Sequence, residues 1–122
     1  MILTLYGDPR TKKNNQRIVK CGNFTKLLPS KAFKQYEKDC LRQITGKYKQ
    51  NIDYPINLKC LYFMKTRRKV DLVNLLEGTC DMLVNAGVIK DDNSEIIATM
   101  DGSEVFYNKQ NPRVEIYITK KQ

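Results

Sequence analysis

The acidic side chains of this sequence are gathered in one segment, and their residue types suggest chemistry with a divalent cation. Residues 71–104 contain eight acids and a single base, Lys90. Their most informative members are Asp71, Glu77, Asp81, Asp91 and Asp92. Carboxylate oxygens are ligands that Mg²⁺ prefers, and a bound Mg²⁺ lowers the pKa of a water molecule and neutralises phosphate oxygens. Such a site could hydrolyse a phosphodiester without a histidine.

The absence of histidine excludes more mechanisms than any other feature of the composition. The 122 residues contain no His, which excludes Ser-His-Asp and Cys-His nucleophile systems, histidine general bases and histidine-ligated zinc. The four cysteines form no CxxC pair, so they do not suit a zinc ribbon and favour reduced core thiols. They are Cys21, Cys40, Cys60 and Cys80. Carboxylates, lysines or a bound metal must therefore carry out any proton transfer near neutral pH.

The net charge of +9 is distributed unevenly along the chain. Residues 1–69 hold 17 basic and 4 acidic side chains, whereas residues 70–122 hold 5 basic and 9 acidic ones. The basic part is the electrostatic footprint of a protein that binds a polyanion. The acids would repel that polyanion unless a divalent cation lay among them. Charge alone leaves two interpretations open: a metal-dependent nuclease, or a passive DNA- or RNA-binding protein whose acids form a solvated face.

The elements that must position these side chains predict a single domain of the α/β (α+β) class. Strands are expected at 2–6, 56–64, 94–107 and 113–119, a hairpin at 18–27, and helices from Ser30 to about 48 and over 72–86. Asp71 is the expected N-cap of the second helix, and Gly87 lies just past its end. The order β, hairpin, α, β, α, β, β predicts one mixed β-sheet with two main helices packed on it.

Helix geometry limits which carboxylates can share one ion. Asp71 and Asp81 lie about 15 Å apart along the predicted helix, whereas Glu77 and Asp81 are close neighbours at i and i+4. A turn at Gly87 can bring Asp91 or Asp92 back beside Asp81. Asp71 and Asp92 of one chain are harder to join, because about 22 Å of helix exceeds the roughly 17 Å that five extended residues span.

The segment 67–92 resembles the RusA family of Holliday junction resolvases, which are small bacterial and prophage endonucleases. The family pattern is a basic run, Asp-x-Asp-Asn-Leu, a Lys four residues after the second Asp, Asp-x-Leu, an Ala-Gly turn and a closing Asp-Asp. The chain matches without a gap at Asp71, Asn74, Leu75, Asp81, Leu83, Ala86, Gly87, Asp91 and Asp92. Residues 14–17 also look like the family's Asn-containing basic segment after the first strand.

The resemblance implies a Mg²⁺- or Mn²⁺-dependent endodeoxyribonuclease that acts as a homodimer and resolves four-way DNA junctions in recombination and repair. Its one domain would be a RusA-like endonuclease domain over residues 1–122. The resemblance implies that Asp71 and Asp92 are catalytic, and we rank them first as metal ligands, followed by Asp91. Glu77 and Asp81 complete the candidate catalytic set. Joining Asp71 to Asp92 requires a shorter helix, an N-terminal turn that bends back, or the loop of the partner subunit, and a site shared across the dimer is a further hypothesis.

Two positions depart from the family pattern. The family's second acid is Val73 here, and its Lys is Glu77. Val73 cannot ligate a metal, so one expected ligand is missing. We hypothesise that Glu77, one turn further along the helix, supplies the displaced carboxylate; the alternative is a surface Glu on a solvated face.

The expected DNA contacts come from two clusters of basic and amide side chains. They are Lys12, Lys13, Asn14, Asn15, Arg17, Arg67, Arg68 and Lys69. A junction is recognised by its shape and phosphate arrangement rather than by base edges. Neither a small-molecule cofactor nor a membrane partner is expected, and the sequence predicts a cytoplasmic protein, since it shows neither a secretory signal nor a long apolar stretch. The alternatives are a DNA- or junction-binding protein without cleavage and a nuclease for other branched DNA.

Overall fold

Ten short elements make up the described part of this chain. The structure, a computed structural model, describes residues 1–12, 17–22, 24–28 and 30–122, and within residues 17–21 and 24–28 it describes the backbone alone. In chain order the elements are β1 (Ile2–Tyr6), β2 (Arg17–Cys21), β3 (Phe24–Leu28), α1 (Lys31–Gln43), a 3₁₀ turn (Gly46–Tyr48), β4 (Ile56–Met64), α2 (Leu72–Asn85), β5 (Ile97–Thr99), β6 (Glu104–Tyr107) and β7 (Arg113–Lys120). This is the α+β class that the sequence predicts.

Five of the strands form one mixed sheet. Strand β7 lies between β1 and β4 and is antiparallel to both, while β5 and β6 pair with the other edge of β4 and run parallel to it. The carboxyl ends of β1, β4 and β6 therefore meet at one end of the sheet. Helix α2 begins at that end and runs back over the sheet as the crossover between β4 and β5.

The core lies between this sheet and the two helices. Alternate residues of β4 are buried, from Ile56 to Met64, and the Tyr62 hydroxyl shares a 2.7 Å hydrogen bond with Thr79 of α2. The helices approach closely at Gly78, where an added Cβ would lie 3.1 Å from the Phe33 ring of α1. This close approach places the outward-facing side chains of the two helices beside one another.

The predicted strand over 94–107 is wrong as a single element, because the edge is broken into β5 and β6. Gly102 adopts a φ of 88° in the turn between them. The Asn57 side chain holds that turn, since it accepts from the Asp101 N–H at 2.8 Å, donates to the Asp101 carbonyl at 3.1 Å and bonds the Thr99 hydroxyl. Between the two pairings, the Ser103 hydroxyl bonds the middle of β4, accepting from the Cys60 N–H at 3.1 Å and donating to the Leu58 carbonyl at 3.5 Å.

The first helix also ends earlier than the predicted position near residue 48. Its C-cap is Ile44, with extended backbone, and a separate 3₁₀ turn follows over Gly46–Tyr48. Ile44 and Thr45 are β-branched and Gly46 is a poor helix former, so continuing the helix would be unfavourable. The Gln43 side chain instead bonds the backbone of Tyr6, accepting at 2.7 Å and donating at 2.9 Å.

The hairpin prediction is confirmed, but β2 and β3 form a two-stranded sheet separate from the five-stranded one. The pairing of Cys21 with Phe24 leaves a two-residue turn, in which Gly22 has a φ of 62°. Among the residues that the structure describes, no helix is long and apolar enough to cross a bilayer.

The three cysteines whose side chains are described are free and buried, as predicted. Burial raises the pKa of Cys40 to about 11 and those of Cys60 and Cys80 to about 12. These thiols are therefore protonated at neutral pH and cannot act as nucleophiles. The side chain of Cys21 lies outside the described residues.

Candidate active site

Helix α2 carries Asp71 at its amino end. As predicted, this residue is the N-cap, and its carboxylate accepts a 2.9 Å hydrogen bond from the Val73 N–H. The side chain is exposed at the end of the sheet where β4 finishes. Asp71 therefore caps the helix with one carboxylate oxygen, Oδ1. The other oxygen takes no part in that bond.

A pocket of about 310 Å³ lies against the carboxyl-terminal half of α2. Its lining comes from both helices, from the segment after β1 and from the segment after α2: Lys12, Glu37, Asp81, Val84, Asn85 and Asp92. Gly87, with a φ of 79°, reverses the chain after α2, and a bridge between Ile52 and Ile89 fixes its return. We expected Asp91 or Asp92 to return beside Asp81, and this is confirmed for Asp92.

The Lys12 ammonium lies inside this acidic pocket. Its Nζ donates to Asp81 Oδ2 at 2.9 Å. The pKa of Lys12 is raised, chiefly by this hydrogen bond and further by the negative charges of Asp81, Glu77 and Glu37, against a smaller opposing effect of burial. Asp81 is thus the partner of a basic side chain in this structure.

Asp92 experiences the negative charge of its neighbours. Its pKa is raised first by burial, then by a hydrogen bond with Asp91 and by the charges of Asp91 and Asp81. The same negative potential acts on the buried Cys80 thiol, whose pKa is raised by Asp92, Asp81 and Glu77 after burial itself. The pocket therefore retains an excess of negative charge even with Lys12 in place.

Asp91 stabilises the loop in which Asp92 lies. Its carboxylate accepts from the Asp92 N–H at 2.7 Å and from the Asn93 side-chain amide at 3.2 Å. The Asn93 amide oxygen in turn accepts from the Glu95 N–H at 2.9 Å. These bonds position Asp92 at the pocket, so Asp91 acts locally as a loop-ordering side chain.

The donors in the pocket fit a divalent cation by their chemistry, although not as an all-protein cage. Within residues 1–12, 17–22, 24–28 and 30–122, no three Asp, Glu or Cys side chains are arranged to hold one ion. Asp71 lies about 15 Å from Asp81 along α2. Mg²⁺ usually takes one or two carboxylates together with waters and substrate phosphates. The pair Asp81 and Asp92, with Glu37 and Asn85 nearby, meets that requirement.

Basic side chains lie beside the amino end of α2. The Arg67 guanidinium lies 4.1 Å from the centre of the Tyr107 ring, and Arg67 and Arg68 line a shallow pocket with Phe106. Lys69 is exposed. These cations follow β4 directly and stand close in sequence to Asp71.

The first basic cluster is described only in part. Asp8 joins its start to the end of β4 by accepting from the Lys65 N–H at 3.0 Å. Lys12 lies in the acidic pocket, and Arg17 begins β2. Lys13, Asn14 and Asn15 lie outside the described residues, as does the side chain of Arg17, so their predicted DNA contacts stay predictions.

A protein-family model matches most of this chain. The model described as Endodeoxyribonuclease RusA matches residues 7–119 of the 122-residue chain. The chain belongs to the RusA family. No curated protein matches it. RusA membership makes the protein an endodeoxyribonuclease and implies a Holliday junction resolving enzyme that binds branched DNA.

The two departures from the RusA pattern lie on the surface of α2. Val73, at the position of the family's second acid, has a side chain that is 68% exposed. Glu77, at the position of the family's Lys, is half-buried and contributes negative charge at Lys12 and Cys80. The substitution of Glu77 for the missing RusA carboxylate stays a prediction.

Two polar residues that line the pocket were not predicted from the sequence. Glu37 lies on α1 among basic side chains, and Asn85 lies near the end of α2. Neither belongs to the RusA pattern quoted above. Glu37 lies near Asp81 and Asp92 because α1 packs closely against α2 at Gly78. No local sequence pattern predicts that contact. The i, i+4 spacing of Asp81 and Asn85 is a signal that could have placed Asn85 beside Asp81.

Proposed function

We propose that this RusA family protein is a Mg²⁺- or Mn²⁺-dependent resolvase that acts as a homodimer and makes paired cuts in four-way DNA junctions during recombination and repair. Residues 1–122 would act as a single RusA-like domain, in the cytoplasm and without a small-molecule cofactor. The observation that carries the proposal is the convergence of Asp81 and Asp92 in one pocket of the segment that matches the family pattern.

Asp81 and Asp92 are the carboxylates best placed to hold the cation near the carboxyl end of α2. Asp92 is presented to the pocket by the Asp91 hydrogen bonds, and Glu77 adds negative charge on the same helix. When bound, the cation supplies an activated water and neutralises charge on the phosphate. Asp81 and Asp92 would hold the cation, and the surrounding basic side chains would hold the DNA backbone.

Asp71 would join this site from a second subunit. Its position at the amino end of α2 separates it by about 15 Å from Asp81, so one chain alone does not offer both residues to a single ion. A two-fold dimer places equivalent surfaces opposite each other. Two composite sites of this kind would also account for two symmetric cuts.

DNA would be held by phosphate contacts from the two basic clusters. Arg67, Arg68 and Lys69 adjoin Asp71 in sequence, and the segment from Lys12 to Arg17 begins at the acidic pocket. Both clusters therefore adjoin candidate acids, as a nuclease requires. Phosphate contacts of this kind fix the register of the DNA without reading its bases.

A binding protein without cleavage is the second candidate, favoured by the exposed Val73 at a position where the family has an acid. Loss of that ligand would leave junction binding intact while ending hydrolysis. A nuclease for other branched DNA, such as flaps, is a third candidate with the same site.

A labelled four-way junction incubated with the protein and Mg²⁺ tests these candidates. We expect paired nicks from the native protein, loss of nicking with retained binding for Asp92→Asn, and native behaviour for Asp53→Asn, which removes an exposed acid outside the pocket. Binding without nicking under Mg²⁺ or Mn²⁺ would instead support the binding protein. Nicking of flap DNA in preference to the junction would support the third candidate.

A further inference from the structure

The Lys12 side chain occupies a position that a free cation could otherwise take. Its ammonium lies 2.9 Å from Asp81 in the pocket that Asp92 and Glu37 also line. Among the described residues that line this pocket, Lys12 is the one cation. Lysine side chains are protonated at neutral pH, so this ammonium brings a positive charge to the Asp81 carboxylate.

The backbone before Lys12 is anchored, so its placement does not depend on the ion pair alone. Pro9 and Thr11 are buried, with Thr11 only 5% exposed. Asp8 is bonded to the backbone of Lys65. The side chain itself remains partly in solvent, because Lys12 and Asp81 are 40% and 30% exposed. An anchored backbone with a partly exposed ammonium allows the side chain to leave the pocket while the segment stays in place.

We infer that Lys12 is a tethered cation that competes with the divalent metal for the Asp81 carboxylate, and that it leaves the pocket when the metal enters. This inference rests on the proposed function, because it concerns the same metal pocket. It assigns Lys12 a regulatory position in the metal-free protein, in addition to any phosphate contact that it makes afterwards.

Lys12 and the metal would share the carboxylate of Asp81, whose Oδ2 already accepts from Lys12. An ammonium and a divalent ion on the same carboxylate repel each other, so the ion pair opposes metal binding at Asp81. Because the pair is partly exposed, its strength is modest. Removing the ammonium should therefore tighten metal binding by about three- to fivefold.

A displaced Lys12 also couples the metal to DNA. Once released from Asp81, the ammonium is available to a phosphate, and a phosphate that attracts Lys12 makes Asp81 available to the metal. Two ligands that favour the same state of one side chain must strengthen each other's binding to the same extent. Metal and junction should thus bind cooperatively in the native protein, with less cooperativity when Lys12 is absent.

Calorimetric titration of the DNA-free protein with Mn²⁺ tests the competition. We expect Lys12→Met to bind Mn²⁺ about three- to fivefold more tightly than the native protein, and Lys12→Arg, which keeps the charge, to bind at the native level. Lys109→Met is the matched control, because it removes the same charge from an exposed residue in the turn after β6. Asp92→Asn should weaken binding, because it removes a carboxylate ligand.

The variants separate failure of this inference from failure of the proposed function. Equal Mn²⁺ affinities for Lys12→Met and Lys109→Met, with weakened binding by Asp92→Asn, would contradict the role of Lys12 alone. Native affinity in Asp92→Asn, or absence of Mn²⁺ binding from every variant, would overturn the metal pocket and this inference with it.

Junction binding tests the coupling. Fluorescence anisotropy is measured with a labelled four-way junction in Ca²⁺ and in EDTA. The native protein should gain about three- to fivefold more affinity from Ca²⁺ than Lys12→Met gains. The same gain in both proteins would contradict the displacement of Lys12.

Discussion

Asp71 and Asp81 lie toward opposite ends of helix α2, which separates them by about 15 Å along its axis, and their carboxylates have different partners. Asp71 caps the first turn by accepting from the Val73 N–H, whereas Asp81 pairs with Lys12 in the pocket that Asp92 lines. Two acids of one family motif therefore contact different parts of the same chain, the first turn of α2 and the Lys12 side chain. This separation is the reason for proposing a site that two subunits complete.

Mixed dimers provide a test of that shared site. Asp71→Asn and Asp92→Asn should each be inactive alone, but mixing the two proteins should restore one intact site per heterodimer, which contains Asp71 of one chain and Asp92 of the other. We expect single nicks in a labelled junction, without the paired cuts of the native dimer. If each chain contained a complete site, the mixture would be as inactive as its components.

The two roles of Asp71 can be separated by substitution. Asn also serves as an N-cap, so Asp71→Asn should keep the native free energy of unfolding while losing cleavage. Asp71→Ala should lose cleavage and also about 1 kcal/mol of stability. Urea denaturation and junction cleavage are measured side by side. Full cleavage by the stable Asn variant would leave Asp71 with capping alone.

Val73→Asp should restore a carboxylate at the position of the family's second acid. The side chain is 68% exposed, and an acid in the first turn of a helix interacts favourably with the helix dipole, so the substitution should not destabilise the fold. We expect the initial rate of Mg²⁺-dependent junction nicking to rise, because Mg²⁺ prefers carboxylate ligands. Val73→Asn, which is polar but neutral, controls for the loss of the apolar side chain. Equal rates for the Asp and Asn variants would contradict a ligand role at this position.

The buried thiols should resist modification in the folded protein. Because burial raises the pKa of Cys60 and Cys80 to about 12, these thiols stay neutral at pH 8 and are also shielded from solvent. In a Cys21→Ser background, we expect Ellman's reagent to label no thiol until urea unfolds the protein. Rapid labelling of the folded protein at pH 8 would indicate that the core opens around β4 and α2.

Local signals were sufficient for much of the architecture and for part of the site. The alternation of β4, the Asp71 cap and the turn at Gly87 are properties of neighbouring residues, and the structure confirms each of them. The break between β5 and β6 could not be predicted in this way, because it depends on the Asn57 side chain in another strand. The pattern of residues 94–107 contains no trace of that partner.

The composition of the acidic pocket depends on tertiary contacts. The spacing of the family motif identified Asp81 and Asp92 as candidate site residues. Glu37 joins them in the pocket because α1 and α2 cross at Gly78. Lys12 was predicted as a phosphate contact because it lies in a basic stretch. Its pairing with Asp81 spans 69 positions of sequence, and no local pattern predicts it.

The proposed function depends on a divalent cation held by Asp81 and Asp92, and iron-mediated cleavage of the protein backbone maps that ion directly. Fe²⁺ bound in place of Mg²⁺, with ascorbate and peroxide, produces radicals that cut the chain near the ion. We predict cuts close to residues 12, 81–85 and 91–93, which Mg²⁺ suppresses and Asp92→Asn abolishes. Cuts confined to other segments, or an unchanged pattern in Asp92→Asn, would contradict the assignment of the metal to this pocket.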